Sequence, residues 1–217
     1  MAPHVYALLI LKEAFRIWRE EPGRFLLFGA FITGLNLLCS LASIPGVVIF
    51  SALQGPLGGG LVLATVAVRE GRRPGTDEFL GGSAMMKPLL LLSLVTSLIS
   101  LAGFALLVVP GLVVSALWIC AIPWMMLRGG TTFEAMKASQ QLVAPVFMSV
   151  FTLELFMAAA DALVSLPLLQ RMLQEEAMNT ETMLPVLLAQ CLLIPFGGIL
   201  ATLVYLKQTG QWEPEIS

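Results

Sequence analysis

The chain is short of charge. Lys, Arg, Asp and Glu make up 12% of its 217 residues, about half the share of an ordinary soluble domain. That scarcity, with 58% hydrophobic residues and a mean hydropathy of +0.89, excludes a disordered chain, a nucleic-acid binder and a water-soluble globule. Histidine is nearly absent. His4 alone cannot build a His-based metal site, and no acid–base set surrounds it. Cysteine is scarce too. Cys39, Cys120 and Cys191 stand apart in apolar stretches, form no CxxC pair, and read as small buried hydrophobes. No Ser/His/Asp or Cys/His set is available for nucleophilic catalysis. The start of the chain does not read as a cleavable signal, because Lys12, Glu13, Arg16, Arg19, Glu20 and Glu21 occupy the place of a small-residue cleavage site.

What is present is a series of long apolar runs. Six are expected to span a bilayer, at roughly 25–44, 47–68, 88–109, 111–127, 145–167 and 185–206. The dyad alternation of a membrane barrel is missing, so the runs are read as helices. The expected fold is all-α: a polytopic transmembrane helical bundle of six spans in three hairpins, with short amphipathic interfacial helices. It forms one membrane domain over 1–217, opened by an amphipathic helix over 1–24. With six spans, eleven of the twelve basic residues fall on one side and only Arg171 on the other. By the positive-inside rule this predicts a multi-pass membrane protein with both termini in the cytoplasm.

The connections carry further pattern. Pro45-Gly46 and Pro110-Gly111 predict near-immediate turns on the outer side. The third outer connection, from Leu168 to Leu184, is longer and acidic, with Glu175, Glu176 and Glu181 beside Arg171. A short surface helix is expected there. Pro22, Pro88 and Pro145 stand at the start of the odd-numbered spans. Pro56, Pro123 and Pro195 lie inside the even-numbered ones. Pro56-Leu57-Gly58-Gly59 resembles Pro195-Phe196-Gly197-Gly198, and Thr65 and Thr202 each follow an alanine. This reads as an internal repeat of three parallel hairpins, each preceded by a short helix. The alternative is that membrane helices simply carry many Pro and Gly residues. In the first leader helix Leu8, Leu11, Phe15 and Trp18 line one face, and Lys12, Arg16 and Arg19 another. That is the pattern of a helix lying on anionic headgroups. Thr76 is the expected cap of the second leader, and Thr131 with Glu134 has capping-box spacing for the third.

From Val109 the chain reads VPGLVVSALWICAIPWMMLRGGTTFEAMKASQQL. A Pro-Gly turn leads into an apolar span with a mid-span proline, a Gly-containing loop, then Glu-Ala and a serine on a helix. This stretch, together with the Leu-Val-Tyr-Leu-Lys exit at 203–207, resembles a group of uncharacterised bacterial six-span integral membrane proteins. That group includes the membrane domain of some glycerophosphoryl diester phosphodiesterases. The resemblance covers most of the second half and the layout of the first. It implies the architecture and supplies no catalytic residues, because nothing here corresponds to the soluble catalytic barrel.

The sharpest chemical feature is a pair of acids in the fifth span. Glu154 and Asp161 are seven residues apart, on one helix face and about 10.5 Å apart along the axis. A charge at bilayer depth costs roughly 2.5–3.5 kcal/mol on the mildest scale. Each acid therefore has to be protonated, paired, interfacial or facing water. Asn36, Gln54 and Gln190 are candidate polar neighbours, as are the hydroxyls of Ser93, Thr96, Ser97 and Ser100. Glu154, Asp161, Asn36 and Gln190 thus form a candidate intramembrane polar site, for a proton, a cation, a small solute or a lipid headgroup. The alternative for the same residues is interhelical hydrogen bonding. Gly55, Gly58, Gly59 and Gly60 lack the ending of a nucleotide loop and predict close helix packing or a helix break. No catalytic residue, metal or cofactor is expected. Two functions remain open: a non-enzymatic membrane protein that interacts with lipids, a membrane partner or a second copy of itself, or a small transporter or channel using Glu154.

Overall fold

A computed structural model describes residues 3–173 and 180–211. Among the described residues there are helices and turns and no strand. Six helical stretches are long and apolar enough to cross a membrane: Pro22–Ser40, Pro45–Arg69, Thr76–Ala105, Val108–Arg128, Thr132–Leu166 and Met183–Gln208. The protein is an all-α, multi-pass membrane protein.

In chain order the helices are α1 (Pro3–Glu20), α2 (Pro22–Ser40), α3 (Ser43–Arg69), α4 (Thr76–Leu80), α5 (Met86–Leu106), α6 (Val108–Trp118), α7 (Ala121–Arg128), α8 (Thr132–Val143), α9 (Phe147–Leu173) and α10 (Thr180–Gln208). Short 3-10 turns over Gly81–Met85 and Ala144–Val146 lead into α5 and α9. The prolines open helices instead of making the turns. Pro22, Pro45, Pro88 and Pro110 all sit in a first helical turn, where the missing N–H has no intrahelical partner to lose. The outer turns expected at Pro45-Gly46 and Pro110-Gly111 therefore lie a few residues earlier, at Leu41-Ala42 and at Leu107. The latter is extended (φ −165°, ψ 149°). Gly46 is needed there for contact: a Cβ would fall 1.6 Å from the Cys39 carbonyl oxygen. Of the surface helix expected after Leu168, Gln170–Leu173 continues α9, and the rest, with Glu175 and Glu176, lies outside the described residues, as does Trp212.

The three hairpins close into a ring. α3 packs on α5, α6 on α9, and α10 on α2, while α3, α7 and α10 also touch one another inside it. The leader helices follow the same order. α4 and its 3-10 turn pack on α3, α8 packs on α6 and α7, and α1 packs on α9 and α10. One end of the bundle is basic. Arg24 donates to the Pro74 carbonyl, Arg73 pairs with Glu21 at 3.4 Å, and Arg69 donates to the Gln211 carbonyl at 3.4 Å. Beside them Glu70 and Glu78 hold the Arg72 guanidinium firmly charged. α3, α7 and α10 each finish at this end on a left-handed glycine, Gly71, Gly129 and Gly210. All three follow a basic residue in or near the last turn, a combination that satisfies free carbonyls and complements the helix dipole.

Lipid tails are as apolar as leucine, so helices in a bilayer associate through close fit. Here glycine supplies that fit. A Cβ on Gly29 would lie 2.0 Å from the Cys191 carbonyl oxygen, and one on Gly55 would lie 2.1 Å from that of Leu89. Gly58 faces Ile122, Gly59 faces Met126, and Gly198 faces Leu61. The Ser93 hydroxyl crosses from α5 to the Ala52 carbonyl of α3 at the same seam. Packing is uneven along the spans. In the basic half nearly every residue from Gly59 to Val68 and from Ile199 to Leu206 is buried. In the opposite half of α3 and α10 few are buried, and most are half-buried or exposed.

The first leader helix has a face the sequence pattern did not separate. Leu8 and Phe15 are exposed, but Ile10, Ala14 and Ile17 are fully buried against the bundle. Tyr6 accepts a hydrogen bond from Gln208 Nε2 at 2.8 Å, and Lys207 Nζ lies 4.6 Å from the centre of its ring. α1 is therefore docked on the end of α10 and does not merely lie on headgroups.

Two predictions follow from this packing. Gly29→Ala should destabilise the protein by about 1–3 kcal/mol through overpacking, whereas Gly34→Ala, on the same helix with nothing within 4 Å, should be nearly neutral. Unfolding of both variants in detergent checks this. Burial pushes the Tyr6 phenol up from 10 to about 12 against the opposing hydrogen bond from Gln208. A raised phenol favours the docked, neutral form, so this contribution is complete below pH 10 and disappears as pH rises through about 12. In a Tyr205→Phe variant the phenolate absorbance should rise near pH 12 in the folded protein and near pH 10 once the protein is denatured.

Candidate functional site

Three polar residues share one side of the otherwise apolar α2. Thr33, Asn36 and Ser40 recur at helical spacing and point toward α10. Across the seam lies Gln190. These four side chains line a cleft of about 150 Å³ between the two helices. Asn36 and Gln190 also line a second cavity of about 370 Å³, together with Gln54 of α3 and Asp161 of α9. Its volume lies in the range of sites that hold small molecules. The remaining wall is apolar, with Phe50, Leu57, Ile122 and Ile194 among it. Gly58, Leu61 and Gly198 mark its basic side. Beyond them Ala64, Thr65, Ile199, Thr202 and Leu203 are buried, and the two threonine hydroxyls bond back to carbonyls of their own helices, at 2.7 and 2.8 Å. The cavity thus stops partway, in the half of the bundle away from the basic end.

Depth explains the lining. Gln54 lies about 16 Å along α3 from its start, and Asn36 about 6 Å from the end of α2. Among the described residues Asn36, Gln54, Asp161 and Gln190 make no hydrogen bond or ion pair. The Thr33 hydroxyl, 4% exposed, is buried without a partner. Gln54 and Asp161 are exposed and Asn36 and Gln190 half-buried, so these polar groups are reachable from the cavity they line, whereas the buried Thr33 borders only the smaller cleft.

Of the four residues singled out from sequence, the structure brings Asn36, Asp161 and Gln190 together. Glu154 is left out. It is half-buried on α9, about 10.5 Å closer to the basic end than Asp161, and lines neither cavity. Both acids share a helix face, and depth separates them. Among the described residues Glu154 also has no hydrogen bond. Thr33 and Ser40 escaped the sequence reading, although their spacing from Asn36 was visible. Ser93 and Thr96 are spent on neighbouring carbonyls. The side chain of His4 lies outside the described residues.

The fourth span is broken between α6 and α7, a feature that exposes backbone groups for ion binding in some transporters. Here the break is already satisfied. Ser139 of α8 accepts from the Cys120 N–H at 3.1 Å and donates to the Leu117 carbonyl at 2.8 Å. Thr131 and Glu134 hold α8 in place by capping each other's backbone N–H, at 3.4 and 2.8 Å. The corresponding cap on α4 falls one residue before Thr76: the Gly75 N–H donates to Glu78 Oε2 at 2.8 Å. The break is therefore structural, and the ligand-ready groups lie on α2, α3, α9 and α10.

Comparison with protein-family models, with curated proteins and with solved structures gives no match.

Ser139→Ala should cost about 1–3 kcal/mol, because it strands two backbone groups at the helix break. Thr152→Ala removes a hydroxyl that bonds only its own helix, to the Met148 carbonyl, and should cost less. Thermal unfolding of the two variants in one detergent makes the comparison.

Proposed function

We propose that this is a non-enzymatic protein of the bacterial inner membrane that binds a small polar group in an intramembrane cavity, reached from the side opposite the basic end. The basic end is read as cytoplasmic, because eleven of the twelve basic residues belong there by the positive-inside rule. The single observation that carries the proposal is the cavity of about 370 Å³ with four unpaired polar side chains on its wall. An ionisable residue inside a membrane is a functional site by default, and Asp161 is the one that meets a void. The wall offers amides and one carboxylate but no nucleophile with a base beside it, which favours binding over catalysis. The tightly packed basic half favours a one-sided site over an open pore. The polar group belongs either to a dissolved solute or to a lipid, whose tails the exposed apolar surface of the outer half would accommodate. The site acts through Asp161 instead of Glu154.

Thiol labelling tests this. In a Cys39→Ala, Cys120→Ala, Cys191→Ala background reconstituted in vesicles, Gln54→Cys should react with a water-soluble maleimide from the side away from the basic end. Thr65→Cys should stay inert, and Glu154→Gln should leave the labelling unchanged. Equal inertness of positions 54 and 65 would refute a water-reachable cavity.

A further inference from the structure

The two cavities adjoin. Asn36 and Gln190 line both, so this pair stands where the cleft between α2 and α10 meets the larger cavity. Ser40 stands at the outer end of the cleft, in the last turn of α2. Thr33 contributes a buried hydroxyl with no partner. Gln54 and Asp161 form the inner wall. Among the described residues that line the two cavities the side-chain chemistry has one sign: Asp161 is the only ionisable one, and none is Lys, Arg or His. The amide and hydroxyl oxygens add acceptors without adding positive charge.

We infer, on the strength of the binding role proposed above, that the ligand is a cation of the ammonium type, carried by a small solute or by a lipid headgroup. It enters along the α2/α10 seam past Asn36 and Gln190 and pairs with Asp161. An ammonium group supplies donors for the unpaired oxygens and a charge for the carboxylate in one compact head. An anion would meet Asp161 with nothing to offset the repulsion. A bare metal ion fits poorly, because it demands several oxygens at short range and this wall spreads its oxygens over four helices. The apolar remainder of the wall, with Phe50 among it, suits the carbon substituents of an organic cation.

Charged thiol reagents of matched size test the assignment in reconstituted full-length protein. Gln54→Cys and Asn36→Cys, each in the cysteine-free background, are treated with trimethylammonioethyl methanethiosulfonate and with sulfonatoethyl methanethiosulfonate. The cationic reagent should react faster by about tenfold or more beyond its ratio at a free thiol, as a nearby carboxylate in a low-dielectric site requires. Asp161→Asn should bring that ratio back to the free-thiol value. Tetramethylammonium chloride should slow labelling, and sodium methanesulfonate should not. If vesicles of phosphatidylethanolamine protect both positions without added solute while phosphatidylglycerol vesicles do not, the ammonium comes from lipid. Protection by the dissolved cation alone assigns it to a solute. Rapid but charge-blind labelling would overturn the cation assignment and leave the cavity standing. No labelling with either reagent would overturn both. Should Asp161→Asn fail to fold, the reagent ratio and the tetramethylammonium protection in the Asp161 protein decide the matter without it.

Discussion

In a bilayer no water is on hand to satisfy a stray amide, and no hydrophobic force pulls one helix onto another. Everything in this structure answers that constraint. Backbone groups are satisfied within the helices, or by a side chain where a helix breaks, as Ser139 does between α6 and α7. Helices adhere where glycine lets one backbone touch the next, as at Gly29 and Gly55. Glycine is concentrated at the middle of the second and sixth spans, so close packing begins there and runs toward the basic end.

The cavity is the other side of that distribution. Where the glycines stop, α3 and α10 no longer fit tightly, and the space between them is lined by the few polar side chains the spans contain. A carboxylate and three amides at such depth would be a liability in a packed seam. Around a void they keep room for polar partners. The same division accounts for α1 and the other leader helices, which cover the basic end and add to the closed half. Leaders and hairpins pack in the same circular order, with the even-numbered spans at the centre.

Much of this was legible in the chain. Hydropathy located six apolar stretches, because length and apolarity alone decide them, although Thr76–Ala105 and Thr132–Leu166 begin about twelve residues before the expected spans. Capping at Thr131 and Glu134 was local and therefore readable. Pairings across the bundle were not. Ser139 looks like any helical serine until the fold sets it beside Cys120, nineteen residues away. The turn at Leu107 was misplaced because Pro110 marks the start of a helix, not the turn before it. Glu154 and Asp161 are equivalent by periodicity, and only the depth at which the cavity ends tells them apart.

A nitroxide scan along α3 in lipid nanodiscs, from position 47 to position 66, tests the division into an open and a closed half most directly. Accessibility to a water-soluble paramagnetic reagent should peak once per helical turn on the face of Gln54, fade at Gly58, and stay low from Gly59 onward. Peaks that continue past Thr65, or a profile that admits only oxygen along the whole helix, would contradict the account.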